Sequence, residues 1–136
     1  MTTEERIKLA CSIIDDTVEY YSADPINRRA IIDKKCYYAL AGSDNCCGVG
    51  RHLLPEIIDE IKKTPKMNDM MVRSLSNHFM CSINDILKPN VRGLNVMFWS
   101  HIQFIHDDEN CWDINGLTEK GIEMVNNFKL NIEEYI

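Results

Sequence analysis

The chain has 136 residues, 45% hydrophobic and 26% charged, which suffices for one ordinary domain with a real core and is too little for two. Six glycines and four prolines exclude a collagen-like or linker composition. Fifteen basic against twenty-one acidic side chains, a formal net charge of −6, argue against duplex nucleic acid as a partner, because that surface demands a clustered basic face.

The opening Met1-Thr2-Thr3-Glu4-Glu5-Arg6 lacks the basic start and apolar run of an export signal, and no stretch approaches the ~20 apolar residues of a membrane span. The expected setting is therefore cytoplasmic, and Cys11, Cys36, Cys46, Cys47, Cys81 and Cys111 are expected as reduced thiols. Thr2 and Glu5 have capping-box spacing, in which each side chain satisfies a backbone N–H at a helix start. Ile7, Ala10, Ile14, Val18 and Tyr21 then recur at helical spacing, which predicts a helix to about Ser22 with one core-facing stripe. Asp24-Pro25 ends it and predicts a second, short helix through Ile32.

Cys36 to Leu40 and Cys46 to Gly50 flank the turn-forming Ala41-Gly42-Ser43-Asp44-Asn45 and predict a small β-hairpin. The glycines on either side of Val49 point to backbone angles or close approaches that a Cβ would forbid. Pro55 to Lys63 reads as a helix with proline in its first turn. Thr64-Pro65-Lys66 breaks it, and Asn68-Asp69 caps another running from Met70 to about His78. Phe79 to Leu87 is apolar without a clear period, and Lys88-Pro89-Asn90 is a break. Leu94, Met97, Phe98, Ile102 and Ile105 predict a buried helix from Leu94 to His106 that lacks a broad polar face. Leu117-Thr118 opens the last helix, with Ile122, Val125 and Phe128 inward. With no repeats or linkers, the expected fold is mainly α (α+β): one helical domain over residues 1–136 with a small β-hairpin near residues 36–50.

Several groups invite a chemical reading. Cys36, Cys46, Cys47 and His52 offer the sulfur and nitrogen ligands that zinc prefers, yet no Cys-x-x-Cys pair is present, and adjacent cysteines on a strand face opposite ways. Small buried thiols are the leading reading there. A cysteine nucleophile would need one of His52, His78, His101 or His106 as a base, without a local hydrolase signature. His101 and His106 are about 140° apart on a helix and do not form a metalloprotease pair. His106-Asp107-Asp108 reads first as capping and loop hydrogen bonding, with Trp112 folded back over the preceding helix as a latch. Gly48-Val49-Gly50-Arg51 ahead of a helix resembles a phosphate cradle without the lysine and Ser/Thr of a P-loop. Arg28, Arg29 and Arg51 are the candidates to grip an anion bidentately, with Tyr37, Tyr38 and Trp112 to stack on a base; ion pairing within the chain is the competing reading.

Asn27-Arg28-Arg29-Ala30, Cys36-x-Tyr38, Cys47-Gly48-Val49-Gly50-Arg51 and Ile102-Gln103-x-x-His106-Asp107 followed by Trp112 together resemble small hypothetical proteins encoded by bacteriophages. The likeness covers roughly residues 25–54 and 94–127; Gly48 stands where that group usually has alanine, and the doubled Cys46-Cys47 is unusual. The resemblance implies a phage accessory role in a bacterial host cell and carries no catalytic residue. The expected function is non-enzymatic: binding a host protein, or sequestering an anionic nucleotide-like ligand, to counter host defence. The alternative is a small cysteine/histidine- or metal-dependent hydrolase acting on a nucleotide. No catalytic residue, metal or cofactor is assigned, and homo-oligomerisation is left open.

Overall fold

A computed structural model describes residues 1–32 and 35–136. Helix α1 (Thr3–Ala23) starts with both halves of the capping box: the Glu5 N–H donates to the Thr2 hydroxyl at 3.1 Å, and the Thr2 N–H donates to the Glu5 carboxylate at 2.6 Å. It buries Ala10, Ile13, Ile14, Thr17 and Tyr21, so the expected stripe is present with Ile7 and Val18 at its margin. Thr17 joins the stripe because its hydroxyl is satisfied by the Ile13 carbonyl at 2.7 Å.

The short helix expected through Ile32 does not form. Asp24 accepts from the Asn27 backbone and side chain, which closes a local turn in place of a helix start. The β-branched pair that follows extends as β1 (Ile31–Ile32), antiparallel to β2 (Lys35–Cys36), with Ile31 opposite Cys36. Beyond β2 the chain folds back, and the pairing expected between residues 36–40 and 46–50 is reduced to an isolated bridge between Ala39 and Cys46. Asn68 takes the place of further strand: its carboxamide oxygen accepts from the Ala39 N–H at 3.1 Å and its amide donates to the Ala39 carbonyl at 2.8 Å. After Cys47 the backbone tightens into a 3-10 turn, Gly50–His52. A second hairpin, which local sequence pattern does not mark, pairs β3 (Trp112–Asp113) with β4 (Gly116–Leu117); Gly116 leads out of its turn at φ +118°.

The remaining helices are α2 (Pro55–Lys63), α3 (Val72–His78), the short α4 (Ile83–Ile86) capped by Ser82, α5 (Val96–Asp107) and α6 (Glu119–Leu130). Helix α5 is central, touching α1, α3 and α6, and its Phe98 stacks on Phe128 of α6 at 5.4 Å. Tyr21, Tyr38, Leu53, Leu75, Leu87, Phe98 and Trp99 complete a single core, and the mainly α (α+β) class is the one expected, although its two small hairpins lie on either side of the expected position. Ile122 is a correction: α6 is rotated so that Gly121, Val125 and Phe128 face inward, and Ile122 is half exposed. The rotation follows from Gly121, where a Cβ would lie 2.4 Å from the Cys111 carbonyl oxygen.

His52 makes this packing sensitive to acid. Its Nε2 is buried without a hydrogen-bond partner among the described residues, and burial, reinforced by Arg51, lowers its pKa from 6.5 to about 4. Above pH ~6.5 the imidazole is neutral whether the chain is folded or not, and it contributes no pH dependence. Below that the unfolded chain takes up a proton that the folded chain refuses, so stability falls until the folded pKa is reached, by about 3 kcal/mol in all. Urea unfolding between pH 7 and pH 4 is expected to show this decline, and His52→Asn is expected to reduce its slope, leaving the share of His106 and His101, whose pKa values burial also lowers.

Candidate functional site

The segments singled out by sequence meet where the end of α5 runs against the β1–β2 hairpin. The His106 ring is fully buried, edge-on to Tyr21 at 4.7 Å, with Nδ1 2.7 Å from the Asp107 carboxylate. Its Nε2 is buried and has no partner among the described residues. Cys36, at the end of β2, brings its thiol to 3.9 Å from the Asp107 carbonyl. Ligand-type atoms of Cys36, His106 and Asp107 all lie within 4.8 Å of one another. Gly48 is pressed against this point: a Cβ there would be 3.1 Å from Ile102 Cγ2 and 3.3 Å from His106 Cβ.

Two of the expected ligand-binding residues instead close the helix. Arg29 donates through Nε and Nη2 to the His106 carbonyl at 3.0 and 2.6 Å, and Trp112 Nε1 donates to the Ile105 carbonyl at 2.9 Å. Consecutive orphan carbonyls at the α5 C-terminus are thereby satisfied. Trp112 is the latch that its position after the polar turn suggests, with its ring beneath the Arg29 guanidinium and edge-on to Tyr21.

The expected anion site is not assembled. Arg28 donates to the Tyr20 carbonyl at 3.0 Å and lies against the Tyr20 ring, where Arg51 also lies, 3.6 Å from the ring centroid and paired with Asp16 at 3.1 Å. Tyr38 is fully buried with its hydroxyl on the Met70 carbonyl, Trp112 is only 6% exposed, and Tyr37 is half-buried. Arg29 and Trp112 edge one shallow groove with Pro25 and Ile114; Arg51 edges a different one with Lys88 and Asp59. The arginines are spent on carbonyls, a ring and a carboxylate of the chain itself, which is the competing reading of the sequence.

The cysteine-rich zinc set is likewise not assembled. The Cys47 sulfur accepts from the Gly50 N–H at 3.2 Å, the Cys46 thiol turns to the Asp44 carbonyl, and His52 lies against Trp99. Burial raises the Cys47 and Cys46 thiol pKa values, and burial with the Asp107 charge pushes Cys36 up to about 12. These are protonated thiols, unlike the thiolates that nucleophilic catalysis requires. Burial also lowers the His106 pKa, against the opposing pull of Asp107, which leaves a neutral imidazole. The cluster is thus a sulfur, nitrogen and oxygen donor set of the kind that holds metal ions.

The other face of α5 carries what sequence reasoning missed. Met97, expected inside, is 47% exposed, and Phe104 is 53% exposed. With Met71 on the approach to α3, 72% exposed, and Tyr135 near the C-terminus, they line an apolar groove of about 490 Å³ that Arg73 and His101 border. The signal is in the sequence: Met97, Ser100, His101 and Phe104 share a helix face, and the lack of a polar face on α5 reflects an exposed apolar side, not complete burial. No family model, curated protein or solved structure matches the chain.

Proposed function

We propose that the protein is a non-enzymatic bacteriophage accessory protein that binds a host protein through the outer face of α5. The observation that carries this reading is the exposed apolar groove formed by Met71, Met97, Phe104 and Tyr135. Exposed clustered methionine and aromatic side chains are the composition of adaptable protein-binding surfaces. Arg73, which has no ion-pair partner among the described residues, selects the occupant: an apolar segment of a different protein, helical or extended, with a carboxylate beside its apolar anchors. The sequestration of a nucleotide-like anion has less support, since Arg28, Arg29 and Arg51 are engaged within the chain. The phage setting rests on the sequence resemblance.

Selection from a displayed random-peptide library tests the reading. Apolar peptides bearing Asp or Glu are expected to be enriched, with affinity reduced at least tenfold by Met97→Glu or Phe104→Glu and unchanged by Arg28→Ala. Both α5 positions are exposed enough to accept glutamate without loss of the fold. Enriched peptides that are indifferent to Phe104→Glu would overturn the assignment, and so would light scattering that shows this face closed in a dimer of the chain.

A further inference from the structure

The cluster at the C-terminal end of α5 has a chemistry that partner binding does not use. A cysteine sulfur, an imidazole and a carboxylate converge from segments far apart in sequence, with ligand-type atoms within 4.8 Å. Histidine and carboxylate come from adjacent residues at the end of α5, and the thiol comes from β2. This arrangement is held from behind. Gly48 allows the close approach of its loop to His106, and Arg29 and Trp112 fix the last carbonyls of α5.

The imidazole presents its Nδ1 to the rest of the cluster: the ring is fully buried, and Nδ1 stands 2.7 Å from the Asp107 carboxylate. An ion that takes Nδ1 and the carboxylate together replaces that hydrogen bond with two bonds to the metal. The site is also reachable: the Asp107 side chain is 31% exposed and Cys36 is half-buried.

We propose that Cys36, His106 and Asp107 bind a single divalent transition-metal ion, zinc by their ligand chemistry, with the fourth coordination position open to solvent. Thiolate, imidazole and carboxylate together suit Zn2+ over Mg2+ or Ca2+, which take oxygen ligands. Binding forms a bond from the metal to the Cys36 sulfur and releases the thiol proton to solvent. Arg29 is the positive group beside the cluster, its guanidinium directed at the His106 carbonyl. An ion here would tie the β1–β2 hairpin to the end of α5. Three protein ligands leave the fourth position to a water molecule or to a donor atom of a bound partner.

Cobalt(II) titration of the metal-stripped protein tests this, because a thiolate bound to Co2+ gives a charge-transfer band in the near ultraviolet. One equivalent is expected to bind at micromolar concentration with that band and to be displaced by Zn2+. Cys36→Ser is expected to abolish the band and Asp107→Asn to weaken binding at least tenfold, while Cys46→Ser and Cys81→Ser leave both unchanged. Circular dichroism of each variant confirms that it is folded. Absence of stoichiometric binding, a band that survives Cys36→Ser, or one that disappears in Cys46→Ser would overturn the assignment.

Discussion

Gly50→Ala is expected to be the most damaging small substitution in the chain. A Cβ at this position would sit 2.0 Å from the Tyr38 carbonyl oxygen, 2.9 Å from its carbon and 3.2 Å from Cys46 Cβ. The first two are backbone atoms, and the carbonyl already accepts from the Cys47 N–H, so the clash cannot be relieved by turning a side chain. The two strands of chain that carry Tyr38 and Val49 into the core would have to separate. A loss of about 3 kcal/mol or more is expected, read as a drop in the urea midpoint or as failure to accumulate folded protein. Gly42→Ala is the matched control: its φ of +73° makes alanine strained, but nothing lies within 4 Å of the new carbon, so about 1 kcal/mol is expected. Equal midpoints for Gly50→Ala and wild type would show that the two segments do not approach as described.

Trp112→Ala is expected to cost about 3 to 4 kcal/mol, the scale of deleting a large buried aromatic. The ring is 6% exposed, and its Nε1 satisfies the Ile105 carbonyl, so the variant leaves both a cavity and an orphan acceptor at the end of α5. Trp112→Phe retains much of the volume and loses the donor, and it is expected to fall between. Asp107→Asn is expected to cost far less, because the partly exposed side chain keeps its shape beside His106 Nδ1. Guanidinium unfolding of the three variants gives the order directly. A Trp112→Ala midpoint equal to wild type would remove the latch.

Much of this architecture is legible in the sequence, for reasons that differ from element to element. Thr2 and Glu5 announce α1 because a capping box is a purely local exchange of hydrogen bonds. The glycines around Val49 announce close approaches: a Cβ at Gly50 would overlap the Tyr38 carbonyl oxygen at 2.0 Å, and one at Gly48 would press on Ile102 Cγ2 at 3.1 Å. What local pattern cannot carry is a partner distant in the chain. Asn68 replaces a β-ladder at Ala39 from 29 residues away, which is why the expected hairpin shrinks to one bridge. The β-branched Ile31-Ile32 outweighs the helix-start signal at Asp24-Pro25, because Asp24 is satisfied within its own turn.

The same limit governs the site. Arginine beside tyrosine has the same pattern whether the guanidinium meets a ligand or an internal carbonyl, and here Arg28 and Arg29 each meet a carbonyl. Cys36 and His106 were each visible as candidate ligands, but their meeting depends on β2 crossing the end of α5, which neither segment encodes alone. On α5 the absence of a polar face was visible and its meaning was inverted: the apolar side at Met97 and Phe104 is exposed rather than filled by the chain's own core.

Partner binding through that exposed side is the central claim, and hydrogen–deuterium exchange of the chain, free and with a library-selected apolar, acidic peptide, tests it most directly. Slower exchange is expected in Met71–Leu75 and Val96–Phe104, with no change around Arg28 and Arg51. Protection centred on Arg28, Arg29 and Arg51, with Val96–Phe104 unaffected, would contradict it.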